Sequence, residues 1–127
     1  MEYATLIVLL ALVQYTGFTF RVGLARGKYN VNAPACRGDE NFERLFRVQQ
    51  NTLEQLIVFI PAAYAFAYYM SPFWVLAPGF AFILGRLLYS AEYTKDPKTR
   101  TPGMGLTLAA NAVLLVGALI GLLKGLF

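Results

Sequence analysis

The 127-residue sequence contains no histidine, and its only thiol and hydroxymethyl groups are Cys36, Ser71 and Ser90. Without imidazole there is no histidine general base, no histidine metal ligand and no serine–histidine hydrolase. One thiol excludes an internal disulfide and a paired-cysteine zinc site, so no metal is expected. Charge is scarce too, at 14% of residues, against about 25% in a soluble domain. What fills the space is apolar: 57% hydrophobic and 15% aromatic residues, with mean hydropathy +0.52. That leaves too little polar surface for a soluble fold and too much apolar surface for disorder. The length allows one domain, residues 1–127. Any chemistry must come from Arg, Tyr, Glu, Asn and Gln side chains, or from a cosubstrate.

A helix crosses about 30 Å of hydrocarbon with roughly 20 apolar residues. Four runs satisfy this, at about residues 3–22, 46–70, 72–92 and 102–124. The expected fold is all-α, an integral membrane four-helix bundle. Glu2 and the lack of a leading basic residue make the first run a retained helix rather than a signal peptide. Residues Arg21 to about Asp39 read as a loop, rich in Gly and Asn. Asp39 or Asn41 can cap the second helix, whose N-terminal end suits Glu40 and Glu43. Ser71-Pro72 makes a very short turn, and Tyr68, Tyr69, Phe73 and Trp74 gather there as an interfacial aromatic belt does. Pro61 marks a candidate kink in the second helix. Gly117, Gly121 and Gly125, four residues apart, permit close helix contact.

Basic residues set the orientation. Arg21, Arg26, Lys28, Arg37, Arg44 and Arg47 lie on or beside the first connection, and Arg86, Lys95, Lys98 and Arg100 near the third. Only Lys124 sits at the opposite end. The positive-inside rule makes the basic end cytoplasmic and puts both termini on the other side. This asymmetry accounts for the net charge of +4 without a nucleic-acid partner.

The informative stretch is Arg44 to Gln55. At about 100° per residue, Arg47, Gln50, Asn51 and Glu54 share one helix face, with Gln49 nearly opposite Arg47. Arg86, Tyr89 and Tyr93 share a face of the third helix, and Arg100 precedes the fourth. A charge in hydrocarbon costs at least ~2.5–3.5 kcal/mol, so such residues face protein or a wet cavity. An ion pair of Glu54 with Arg47 or Arg86, a snorkelling Arg86 and an aromatic belt of tyrosines are the plain structural alternatives. Read as a site, several guanidiniums suit carboxylates, one carboxylate suits an ammonium, and the amides suit peptide groups. The inventory fits a small, net-anionic peptide entering from the basic side while a lipophilic substrate enters from the bilayer. Cys36 reads as a bystander, because a nucleophilic thiol needs a depressed pKa.

These residues resemble a known family. Glu43 to Glu54 looks like the E-R-x-x-R-x-Q-x-N-x-x-E signature of membrane-associated proteins in eicosanoid and glutathione metabolism. Arg86 to Tyr93 is similar to that family's R-x-x-Y-x-x-x-Y segment. Its members include microsomal glutathione transferases, leukotriene synthases and a non-catalytic lipoxygenase-activating protein, and the similarity covers most of the chain. The resemblance implies a homotrimer with glutathione as cosubstrate between neighbouring subunits. Arg47, Asn51, Glu54, Tyr89, Tyr93 and Arg100 come from one subunit in this scheme, and Arg26 and Gln49 from the next. Arg100 would stabilise the glutathione thiolate, with Tyr93 assisting, for attack on a lipophilic electrophile or lipid hydroperoxide. Gln55 replaces a tyrosine of the leukotriene-synthase branch, Gly27 an arginine, and Pro61 is displaced from the usual proline position. The short loops and plain termini look more like a bacterial member. A non-catalytic lipid-binding scaffold is the alternative; a four-helix transporter fits less well, because the intramembrane charges gather at one end.

Overall fold

In hydrocarbon every backbone N–H and C=O needs an internal partner, which a helix supplies. The computed structural model describes residues 1–96 and 101–127. They form α1 (Glu2–Tyr29), α2 (Glu40–Tyr69), α3 (Leu76–Lys95) and α4 (Thr101–Leu126), with no strand among the described residues. α1 and α4 are each long and apolar enough to cross a membrane by themselves, while α2 and α3 are diluted by the polar residues of one end. Large apolar side chains such as Val13, Phe20, Ile57, Leu87, Val116 and Leu119 stand exposed around the bundle, as lipid contact requires. The molecule is an integral membrane four-helix bundle.

The first connection is shorter than the sequence pattern implied. α1 does not end near Arg21 but continues two turns, through Arg26 and Lys28. No proline intervenes, and Val22 and Ala25 are buried with Phe42 of α2 in a small apolar cluster that holds those turns. The helix stops where Asn30 adopts the left-handed conformation, φ 58° and ψ 44°, which Asn tolerates better than most residues. α2 starts at the cap: Asp39 Oδ1 accepts from the N–H groups of Asn41 at 2.8 Å and Phe42 at 3.2 Å. The helix then runs unbroken through Pro61. The turn before α3 spans residues 71–75, closed by the Trp74 N–H donating to Ser71 Oγ at 3.1 Å.

α2 and α3 form the middle of the bundle, with α1 packed on one side of them and α4 on the other. Ile7, Phe59, Phe82 and Leu114 bring all four helices into one core, where the Phe59 and Phe82 rings stack at 4.0 Å. Of the three spaced glycines, Gly117 faces the Phe66 ring and Gly121 the Tyr69 backbone, whereas Gly125 faces open space. Gly85 and Gly103 matter most for function. A side chain at either would strike the opposing helix, at Thr107 and at the Tyr89 backbone respectively. These two positions let α3 and α4 touch at the basic end.

Candidate functional site

At the end of the bundle away from Ser71, the face of α2 expected from the wheel meets the face of α3. A hollow of about 410 Å³ lies between them, lined by Arg47, Gln50, Asn51 and Glu54 of α2, Tyr89 and Tyr93 of α3, and Met104 of α4. The two tyrosine rings stack at 5.4 Å. Tyr89 is buried and Tyr93 half-buried, while Arg47 and Glu54 are exposed on the protomer surface. A second hollow of about 680 Å³ shares Arg47, Gln50 and Glu54 and reaches Cys36 and Arg37 in the 30–39 connection. A larger one of about 740 Å³ lies near the Ser71 turn, between Phe66, Trp74 and Val116. It has no titratable lining residue.

Behind the polar hollow sits Arg86, with none of its surface exposed. It does not snorkel, because the contact of α3 with α4 encloses it and its donors are taken by neighbouring side chains. Nη1 donates to Asn51 Oδ1 at 2.6 Å and to Thr52 Oγ1 at 3.3 Å, and Nε donates to Thr107 Oγ1 at 3.0 Å. Nη2 approaches Met104 Sδ at 3.3 Å, and the guanidinium lies 4.5 Å from the Tyr89 ring centre. Among the described residues no ion pair joins Arg47, Glu54 or Arg86. The plain ion-pair alternative is therefore absent.

Other residues of the signature do different work. Arg44 pairs with Glu40 and donates to the Thr94 and Lys95 carbonyls at 3.4 and 3.3 Å, serving the end of α3 where helical partners run out. Gln49 points away from the hollow and its Nε2 donates to Thr19 Oγ1 of α1 at 3.0 Å. Arg26 also lies outside the hollow, donating to the Ala35 carbonyl at 2.8 Å and covering the Phe42 ring at 5.0 Å. Arg100 lies outside the described residues. Gln55 finds a partner that its own helix face does not reveal: Asn111 of α4 donates Nδ2 to its Oε1 at 3.1 Å.

Four contributors escaped the sequence reading. Gln50 was on the polar face without being assigned a part, and Met104 looked like any apolar residue. Thr107 and Asn111 had a usable signal: two polar residues four apart in an otherwise apolar helix, a spacing that puts both on one face.

The sequence profile of the MAPEG family matches residues 3–120. An uncharacterised protein of the cyanobacterium Synechocystis is 41% identical over 121 residues, covering 95% of this chain and 88% of that protein. Human microsomal glutathione S-transferase 2 is 38% identical over 112 residues, covering 87% of this chain and 76% of its own. Rat leukotriene C4 synthase is 26% identical over 117 residues, with 92% and 78% covered.

Proposed function

Because the chain belongs to the MAPEG family, we propose that it is a membrane glutathione S-transferase that activates the glutathione thiol against lipophilic electrophiles. The observation that carries this reading is the donor-rich hollow with one carboxylate. Arg47, Gln50, Asn51 and Tyr93 offer N–H and O–H donors, and Glu54 alone is an anion. A tripeptide with two carboxylates, two amides and one ammonium suits that set through one carboxylate, its amides and its ammonium, leaving the second carboxylate to Arg26 of a neighbouring subunit. In this reading Arg47 holds a carboxylate, Glu54 the ammonium, and Asn51 with Gln50 the peptide groups. Tyr89 and Tyr93 form the wall beside the sulfur.

Activation rests on charge. No residue of the hollow is a strong base at neutral pH, so the thiol loses its proton to water and the protein's part is to favour the anion. A free thiol has a pKa near 8.5. At an effective dielectric of about 20, a guanidinium 4 Å from a thiolate contributes ~4 kcal/mol. Each pKa unit is about 1.36 kcal/mol, so a fall of two units survives a large discount. Arg100, directly before α4 in the sequence, is assigned as the thiolate partner, and Tyr93 assists by donating a hydrogen bond. The same anion attacks carbon in a conjugation and oxygen in a lipid hydroperoxide, so peroxidase activity belongs to the proposal.

The assembly proposed is a homotrimer, with Arg26 and Gln49 completing each site from the next subunit. Two features support it. Glu54 is exposed on a protomer that spans the membrane, where contact with lipid is costly. Arg26 and Gln49 lie outside their own protomer's hollow, in half-buried positions. The concentration of Lys and Arg supports a cytoplasmic mouth, with both termini opposite.

Ultraviolet difference titration of glutathione into the detergent-solubilised protein tests the reading. A saturable thiolate band near neutral pH is expected, and Arg100→Leu should lower turnover more than affinity. Saturable lipid binding with no glutathione signal would replace the enzyme by a non-catalytic lipid-binding scaffold.

A further inference from the structure

We propose that Arg86 is the positioning residue of this site, fixing Asn51 in one orientation and lending the hollow an uncompensated positive charge. The proposal rests on the glutathione reading above but adds a residue that never reaches the hollow itself.

A guanidinium only donates, and its Nη1 lies 2.6 Å from Asn51 Oδ1. The Asn51 carbonyl is thereby turned to Arg86, and its NH₂ group, with two donors, is left for the hollow that Asn51 lines. Asn51 then binds a ligand carbonyl or carboxylate and repels a donor. The same guanidinium touches two more lining residues, Met104 through Nη2 and Tyr89 through its ring face. Three walls of the hollow, one from each of α2, α3 and α4, are thus indexed to one buried group. Thr52 and Thr107 take further donors, so the guanidinium has little freedom to turn.

Charge is the second part. Arg86 is fully enclosed, and no carboxylate lies within ion-pair distance of it among the described residues. Removing one partner of a buried ion pair is strongly destabilising, and here the partner is missing by design of the sequence. Neutral oxygens solvate the cation without cancelling its charge. The charged and titratable groups facing the hollow are Arg47 and Glu54 from α2 and Tyr89 and Tyr93 from α3. The described first turns of α4 contribute none. With Arg47 and Glu54 offsetting one another, Arg86 leaves the described part of the site net positive. An arriving anion is favoured, and a thiolate is favoured over a thiol.

Two substitutions separate these roles from ordinary core packing. Arg86→Lys keeps the charge but replaces the planar fork with a point donor; Arg86→Met removes both. The readouts are the glutathione dissociation constant and the midpoint pH of the bound thiolate band. For Arg86→Lys the dissociation constant should rise about tenfold while the midpoint stays near that of the wild type. For Arg86→Met affinity should fall at least as far and the midpoint should move up by about one unit, a tenfold loss of thiolate below it. If Arg86→Met does not fold, Arg86→Lys decides: wild-type affinity in that variant overturns the proposal. An unshifted midpoint in a folded Arg86→Met protein overturns the electrostatic role. A wild type lacking the thiolate band overturns the glutathione reading itself, before any variant is compared.

Discussion

Gly103 and Gly105 sit in the same turn of α4 and should respond in opposite ways to the same substitution. A Cβ at Gly103 would lie 2.6 Å from Tyr89 Cα and 2.9 Å from the Leu88 carbonyl carbon, and closer still to the Tyr89 nitrogen. All three are backbone atoms of a helix and do not rotate away. At Gly105 nothing lies within 4 Å. Replacing Gly by Ala in a helix gains up to about 1 kcal/mol from propensity, and that gain is common to both positions. The difference between the two variants therefore isolates the clash, about 1–3 kcal/mol by analogy with overpacked cores. Gly105→Ala should be as stable as the wild type or slightly more so. Gly103→Ala should be the less stable of the pair, because relief requires α4 to move from α3 by about 1 Å. That movement carries Met104 and Thr107 away from Arg86 and opens one wall of the hollow. A misplacement of that size can cost about 10²-fold in rate, so activity should fall further than stability does. Unfolding of both variants in one detergent system, alongside glutathione titration, gives the two readouts. Equal stability with equal glutathione affinity would refute the close approach of α3 and α4 at Gly103.

Two other perturbations follow from the hydrogen bonds. Asn111→Leu and Gln55→Leu each strand one amide of an interhelical pair, and interhelical bonds in membranes average about 0.6 and reach about 1.7 kcal/mol. The double variant should lose less than the sum of the singles, because neither amide is then left unpaired; strict additivity in a double-mutant cycle would deny the bond. Asp39→Ala removes both acceptor contacts at the start of α2 and should destabilise by about 1 kcal/mol, whereas Asn41→Ala should do little; equal effects measured by thermal unfolding would mean that the cap is shared.

Much of this protein was legible in its residues. Apolar length gave four helices, since a backbone in hydrocarbon has few other ways to satisfy itself. The 3.6-residue period placed Arg47, Gln50, Asn51 and Glu54 on one face of α2, and Tyr89 with Tyr93 on one face of α3. The sequence narrows the cap of α2 to Asp39 or Asn41, short polar side chains at the first turn, and the structure gives it to Asp39. The end of α1 is not legible in the sequence: Gly27, Asn30 and Asn32 resemble a loop in composition, and only burial of Val22 and Ala25 against Phe42 holds two more turns. The sequence leaves Arg86 open between an ion pair, a snorkelling side chain and a site residue for a related reason. Near a helix end an arginine has a way out to water along its stem, and nothing local indicates that another helix blocks it.

What the sequence determines by itself is the medium, the number of helices and the inward or outward sense of each short stretch, because these follow from hydropathy and period. What only the tertiary structure decides is which faces meet. Gly85 and Gly103 are small at positions where two backbones touch, and their smallness becomes meaningful only with the opposing helix in place. The contact they allow brings Thr107 and Met104 of α4 against Arg86 of α3, and Arg86 in turn against Asn51 of α2. A cation that hydropathy would send to the surface is held inside by partners up to 35 residues away in the chain, and no local pattern encodes that arrangement.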